Sequence, residues 1–237
     1  MEYPIRLNKY IAHQGLASRR EADALITKKQ VLVNGQSAPL GYLVQATDTV
    51  TVKNKGPKKR YLAYYKGRGI ITHSPAAHET DVAMRLKKDY DITDLNPIGR
   101  LDKDSEGLLL LTNDGRLTGP LLDPESGHEK EYDVIVDKNL NGQFIKHMQT
   151  GVDIEGYRTK PATVTPHQTN SKRFRIIVTE GKKHQIRRMC AALGYQVQTL
   201  KRVRIMNIEL GKLKPNQYRK LAPEELAAFL TALNVAN

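Results

Sequence analysis

The apolar positions of the first thirty residues repeat at helical spacing. They fall three or four residues apart in two short runs, Leu7, Tyr10 and Ile11 in the first and Ala22, Leu25 and Ile26 in the second. Gly15 ends the first run, and Ser18 with Glu21 forms an S-x-x-E capping box before the second. This pattern predicts two short helices joined by a turn.

The period then changes from helical to alternating. Val31 and Val33 occupy alternate positions directly before Asn34-Gly35, a strong signal for a tight turn. Residues 49–52 read as a further strand that closes the unit. We therefore expect two short helices and a small β element within residues 1–53.

The rest of the chain contains more predicted strands than helices. The expected strands cover 61–65, 108–111, 130–136, 173–178 and 203–208, and the expected helices cover 82–88, 184–193 and 223–233. Because strands and helices do not alternate regularly, a doubly wound sheet is disfavoured. We expect an α+β fold whose larger domain, residues 61–237, has a mixed, largely antiparallel sheet with flanking helices.

The positive net charge of the chain indicates a polyanionic partner. The 237 residues contain 38 Lys and Arg against 25 Asp and Glu, a net charge of +13, and residues 1–60 carry +7 of it. Nucleic acid is the leading candidate partner. Residues 54–60 are basic and contain a Gly-Pro pair, which is typical of a linker.

Cysteine content and hydropathy bear on the compartment. The single cysteine, Cys190, excludes an intramolecular disulfide and fits a reducing cytoplasm. No apolar run approaches the ~18 residues that a membrane-spanning helix requires, and the N-terminus lacks a signal-peptide pattern. We expect a cytoplasmic protein with no membrane partner.

The clearest candidate for chemistry lies between two glycines. Gly99 and Gly107 bracket a short polar stretch that contains Arg100 and Asp102 and precedes four consecutive leucines. This pattern predicts a loop before a buried strand, and a carboxylate on such a loop is well placed for catalysis. Asp102 is therefore the candidate catalytic residue.

Other classes of chemistry find little support. No G-x-G-x-x-G follows a strand, no Walker motif is present, and the histidines show no zinc spacing with the lone cysteine. We expect no cofactor and no metal. Cys190 lies on the apolar face of a predicted helix, which favours packing, and His184 is interpreted as a surface or RNA-facing residue.

A cation on another element could hold Asp102 ionised. Arg187, on the basic side of the helix predicted over 184–193, is a candidate. The same two residues could equally form a structural ion pair or be unrelated surface groups. On their own, Tyr132 would be interpreted as a core tyrosine of a strand and Arg100 as a surface arginine, so the residues alone leave these alternatives open.

The N-terminal pattern resembles the S4 RNA-binding domain. The resemblance covers roughly residues 5–52 and rests on the segments Arg6–Ile11, Ala17–Ala22 and Val31–Gly35. It implies binding to structured RNA through the helical face. The candidate phosphate ligands there are Arg6, Lys9, Arg19 and Arg20.

The remainder resembles the pseudouridine synthases of the RsuA/RluB/RluE/RluF type, with details nearest to RluF. The matching segments, in order, are Gly99–Gly115 with Ser105 in place of Thr, Lys130-Glu131-Tyr132, Glu180–Gly194, Leu200–Leu210, and Tyr218–Leu221. One departure is Lys66-Gly67-Arg68-Gly69, where the family often has Lys-Pro-x-Gly, which puts the rigidity of that loop in doubt.

The resemblance implies an activity and a set of roles. Uridine in RNA would become pseudouridine when the C1′–N1 bond breaks, the uracil rotates and C1′ joins C5. Asp102 would be the essential carboxylate, attacking C1′ or removing the 2′ proton, and Arg187 would pair with it. Tyr132 would stack on the flipped base and could transfer a proton, and Arg100 would enter the RNA helix where the base leaves. Lys130 and Arg188 are further candidates for RNA binding.

We expect a monomeric synthase that acts on a structured ribosomal RNA stem-loop, with 23S rRNA as the first candidate. The alternatives are a synthase acting on 16S rRNA or tRNA, and a non-catalytic RNA-binding or ribosome-assembly factor. A DNA-binding regulator is disfavoured because no heptads or other dimerisation pattern is present.

Overall fold

A computed structural model describes residues 2–17, 19–53 and 58–235. The strands are β1 Ile5–Arg6, β2 Val31–Val33, β3 Gln36–Ser37, β4 Leu43–Val44, β5 Val50–Val52, β6 Tyr61–Lys66, β7 Asn96–Ile98, β8 Glu106–Thr112, β9 Lys130–Val136, β10 Asp153–Ile154, β11 Tyr157–Arg158, β12 Thr163–Pro166, β13 Arg173–Val178, β14 Val197–Ile205, β15 Ile208–Glu209 and β16 Tyr218–Lys220. The α-helices are α1 Leu7–His13, α2 Arg19–Thr27, α3 Val82–Tyr90, α4 Thr118–Leu122, α5 Gly142–Thr150, α6 Gln185–Ala192 and α7 Pro223–Ala232.

The N-terminal unit packs two helices on short strands. The inward faces of α1 and α2 share one apolar cluster with β2, which contains Leu7, Ile11, Ala22, Ile26 and Val31. β2 pairs with β3 through the predicted Asn34-Gly35 turn and with β5 on its other side. The two helices and the β element are confirmed; Ser18 of the predicted capping box lies outside the described residues.

The larger unit is built on one mixed sheet. Its strand order is β12-β13-β9-β14-β8-β6-β16, with β15 and β7 added beside β14 and β8. In this order β14 and β8 run parallel, whereas the other neighbouring pairs are antiparallel. The expectation of an α+β fold with a largely antiparallel sheet and flanking helices is confirmed.

Separate apolar clusters cover different parts of this sheet. α5 and α6 pack on β9 and β13 around Phe144, Phe174 and Met189. α3 packs on β6 and β8 around Leu86 and Leu109. A third cluster joins α7 to β8 and the turn after it. In the middle of the sheet, between the clusters of α3 and α6, two buried charged side chains, Lys66 and Arg202, interrupt the apolar residues.

Four residues of neighbouring strands form one row across that middle. Lys66 of β6 lies opposite Gly107 of β8, Gly107 lies opposite Arg202 of β14, and Arg202 lies opposite Tyr132 of β9. Gly107 has φ +108°, and a Cβ there would lie 2.3 Å from the carbonyl oxygen of Arg202. Only glycine therefore lets β8 and β14 approach this closely.

The structure differs from the sequence prediction most clearly at two elements, β14 and α5. The strand expected over 203–208 is β14, which begins at Val197 and breaks register between Arg202 and Arg204. Its mixed apolar and basic residues hide the alternation that identifies a half-buried strand. Helix α5 was not predicted, although Asn141 caps it by accepting a hydrogen bond from the Phe144 N–H.

Candidate active site

The loop that carries Asp102 is held through its backbone. It connects β7 to β8, and the Thr72 hydroxyl both donates to the Leu101 carbonyl at 2.7 Å and accepts from the Leu101 N–H at 3.1 Å. The Gly69 N–H donates to the Lys103 carbonyl at 2.8 Å. The segment after β6 therefore fixes the residues on both sides of Asp102.

Arg202 ties the two ends of the same loop together. Its Nε donates to the Leu108 carbonyl at 2.8 Å, and its Nη1 donates to the Arg100 carbonyl at 3.4 Å. The residue is only 4% exposed, and its buried Nη2 has no hydrogen-bond partner among the described residues. A buried guanidinium is costly to desolvate, so this one marks a site where charge is retained for a purpose other than packing.

Lys66 places a second buried cation near the loop. Its side chain is fully buried, and Nζ donates to the carbonyls of Ile70 at 2.6 Å and Gly67 at 3.1 Å. Burial lowers the pKa of Lys66 to about 8, while the negative charge of Asp102 opposes that shift. Two buried cations therefore lie in the row of the sheet beside the Asp102 loop.

Helix α6 approaches the loop from the other side. Arg187 donates from Nη2 to the Asp104 carbonyl at 3.1 Å and to the Ser105 hydroxyl at 3.4 Å. The expected ion pair between Arg187 and Asp102 is not formed among the described residues. His184, at the start of α6, instead places Nε2 3.3 Å from Oδ1 of Asp102. The guanidinium of Arg187 bonds to groups later in the loop, and the carboxylate of Asp102 contacts the imidazole of His184 instead.

The other candidate site residues take different positions. Tyr132 is half-buried in β9 directly opposite Arg202, so the two side chains share one face of the sheet. Lys130 lies two residues earlier and donates to the His128 carbonyl, and burial lowers the pKa of Lys130, as does the charge of Arg202. Arg100 is exposed within the loop, where it is free to meet a ligand.

Arg188 points elsewhere. Its Nη2 donates to the Ile154 carbonyl at 3.0 Å and pairs with Glu155 at 2.8 Å. These contacts connect α6 to the β10–β11 hairpin.

In the N-terminal unit, the four predicted phosphate ligands are all exposed; these are Arg6, Lys9, Arg19 and Arg20.

The site supplies a carboxylate, a half-buried tyrosine and several cations. Asp102 has a side chain 39% exposed, so a substrate can reach it. Among the described residues, no group of three or more His, Cys, Asp and Glu side chains is arranged to hold a metal ion, and none of the helices described is both long and apolar enough to cross a membrane. The arrangement suits acid–base or nucleophilic carboxylate chemistry on a polyanionic substrate.

Comparison with known families identifies the family of this chain. A family model described as RNA pseudouridylate synthase matches residues 60–192, and an S4 domain model matches residues 5–50. The chain belongs to the RNA pseudouridylate synthase family. The resemblance inferred from the motifs, including the N-terminal S4 domain, is thereby confirmed.

The sequence similarity to known relatives extends over nearly the whole chain. The chain is 40% identical to the dual-specificity RNA pseudouridine synthase RluF of Salmonella typhi, over 93% of this chain and 77% of that protein. It is 34% identical to the ribosomal large subunit pseudouridine synthase B of Bacillus subtilis, over 93% of each. A solved structure described as a crystal structure of pseudouridylate synthase superposes with a TM-score of 0.69 at 27% identity, over 94% of this chain and 98% of that one.

The sequence singles out Asp102 as the candidate carboxylate but does not reveal the residues that support its loop. Lys66 stands out only as part of a loop motif, and nothing in the local sequence marks Arg202 as a site residue. Both lie in strands, where a basic residue ordinarily faces solvent. Their roles depend on the pairing of β6, β8 and β14, which no local pattern reveals.

Proposed function

We propose that this synthase converts uridine to pseudouridine in ribosomal RNA, with Asp102 as the essential carboxylate. The observation that carries the proposal is the position of Asp102: its side chain is accessible, while the neighbouring carbonyls of Arg100, Leu101, Lys103 and Asp104 are bonded to three different elements. A carboxylate held this firmly can meet a ribose carbon with little reorganisation.

The remaining residues take roles that suit their positions. Asp102 attacks C1′ or removes the 2′ proton as the C1′–N1 bond breaks, and C1′ then bonds to C5 of the rotated uracil. Tyr132 stacks on the flipped base, since its ring stands on the same face as Arg202. Arg100, exposed within the loop, fills the gap that the base leaves in the RNA helix.

Arg187 acts on the loop rather than on the carboxylate itself. By bonding the Asp104 carbonyl and the Ser105 hydroxyl it holds the C-terminal side of Asp102 in place. Lys130 contributes positive charge in the same region, and Arg188 supports α6 from behind. The exposed basic residues of α1 and α2 bind the phosphates of the same RNA.

We further propose that the substrate is a stem-loop of 23S rRNA and that the enzyme is a cytoplasmic monomer. The similarity to a Bacillus subtilis enzyme named for the large ribosomal subunit supports 23S rRNA over 16S rRNA. The proposed domains are 1–53 for RNA binding, 54–60 as a basic linker, and 61–237 for catalysis; the S4 model matches within the first, and the synthase model starts at residue 60, at the end of the linker. Residues 54–57 of that linker lie outside the described residues.

Release of tritium from C5 tests the proposal, because forming the C1′–C5 bond displaces the hydrogen at C5. Wild-type protein incubated with 23S rRNA labelled at uridine C5 should release tritium, and Asp102→Asn should abolish release while retaining RNA binding. Asp104→Asn, two residues along the same loop, is the matched control and should retain activity. Release from 16S rRNA or tRNA but not from 23S rRNA would show that 23S rRNA is not the substrate. Binding without release from any of them would favour the assembly factor.

A further inference from the structure

We propose that His184 is a positioning residue for Asp102, which fixes one carboxylate oxygen so that the other meets the ribose. The inference rests on the proposed role of Asp102. The observation is the 3.3 Å separation between His184 Nε2 and Asp102 Oδ1. In the part of the chain that the structure describes, no other basic side chain pairs with the Asp102 carboxylate.

The backbone of His184 is held in an unusual conformation. It immediately precedes α6 with φ 53° and ψ 26°, in the left-handed region, and its side chain caps no N–H of the helix. Serine, threonine, aspartate or asparagine would ordinarily occupy such a position and bond the helix end. Left-handed backbone at a residue other than glycine costs of order 1–3 kcal/mol and persists where the surroundings require it.

The neighbours of His184 explain why the imidazole reaches the loop. Gln185, the next residue, is buried and donates from its side chain to Glu180, and its carboxamide oxygen accepts from the Lys182 N–H at 3.0 Å. Arg187, one turn later, is bonded to Asp104 and Ser105. The start of α6 is therefore fixed on both sides of His184, and the imidazole is presented to Asp102 by a rigid segment.

Fixing one oxygen has a chemical consequence. A carboxylate that rotates freely about its Cβ–Cγ bond presents either oxygen in many directions, and most of those geometries are unproductive. The contact of Nε2 with Oδ1 restricts that rotation and leaves Oδ2 to meet the ribose. The contact tightens when RNA closes over the site, as catalytic hydrogen bonds commonly do on substrate binding.

Two substitutions separate this role from a purely structural one. His184→Gln keeps an N–H donor at the ε position, where Nε2 of histidine lies. His184→Asn keeps a donor only at the δ position, but asparagine tolerates left-handed backbone better than glutamine does. We expect His184→Asn to lower kcat by about 10-fold with KM within about twofold of wild type, and His184→Gln to recover most of that loss.

Initial rates of tritium release at a series of RNA concentrations provide kcat and KM. The exposed His167, replaced by Asn and by Gln, is the matched control and should leave kcat and KM unchanged. If Asn retains more activity than Gln, the role of His184 is conformational and the proposal is wrong. If both variants raise KM and leave kcat intact, His184 binds RNA instead. A wild-type protein without activity would refute the proposed function itself. If the Asp102→Asn variant remains active, both proposals are wrong.

Discussion

The buried ammonium of Lys66 makes the stability of this enzyme depend on pH in a defined direction. Burial lowers the pKa of Lys66 from 10.5 to about 8 in the folded protein. In the unfolded chain the same group titrates near its ordinary value. Between these two pH values the unfolded state therefore binds more protons than the folded state, and the free energy of unfolding rises with pH.

The size of the effect follows from the shift. One pKa unit corresponds to about 1.4 kcal/mol, so Lys66 penalises the folded state by about 3 kcal/mol at pH below 8, and the penalty disappears above pH 10.5. By pH 9.5 about 2 kcal/mol of it should be recovered. Lys66→Met removes the titrating group, so the stability of wild type relative to this variant should rise by that amount between pH 7 and 9.5.

Chemical unfolding at a series of pH values measures the difference. The chain contains no tryptophan, so far-ultraviolet circular dichroism is the suitable signal. Comparing the two proteins cancels the titration of every other group that they share. Lys87→Met, which removes an exposed lysine of α3, controls for the loss of one positive charge. A difference that stays flat with pH, or falls as pH rises, would show that Lys66 does not bear a buried charge.

Two further predictions concern the packing beside the site. Gly107→Ala should destabilise the protein by at least about 2 kcal/mol, because φ is +108° and the new Cβ would lie 2.3 Å from the Arg202 carbonyl oxygen; a thermal melt within error of wild type would contradict this. Cys190 is fully buried, and burial raises the pKa of its thiol to about 12. Native protein at pH 8 should therefore resist iodoacetamide while unfolded protein reacts, as measured by intact mass; rapid native labelling would show that the thiol is accessible.

Local patterns of apolar and polar residues predict the elements that have one solvent-exposed face and one buried face. β9 and β13 begin and end where the alternation of apolar residues predicts, at Lys130–Val136 and Arg173–Val178. In α6 the apolar residues recur at helical spacing and end before Gly194. β14 was harder because its inward residues include Arg202, which the pattern scores as outward facing. The failure occurs where a functional residue interrupts the core.

The site was predictable to the extent that it lies in one continuous segment. Asp102 could be identified because its loop, its glycines and its following strand are adjacent in sequence. Arg187, which the family motif pairs with Asp102, bonds the same loop at Asp104, and His184 makes the contact with the carboxylate. Which of two basic groups on one helix turn meets a carboxylate depends on fractions of an ångström, which residue spacing does not determine.

The way the loop is anchored explains how this site can combine precision with access. Thr72, Arg187 and Arg202 come from three separate segments, and each reaches a backbone carbonyl of the loop. Anchoring through carbonyls leaves the side chains of Arg100 and Asp102 available for RNA. Had these three anchors bonded both carboxylate oxygens instead, a substrate could not have reached either one. The arrangement places two buried cations, Lys66 and Arg202, beside the loop, and burying a charged side chain is costly.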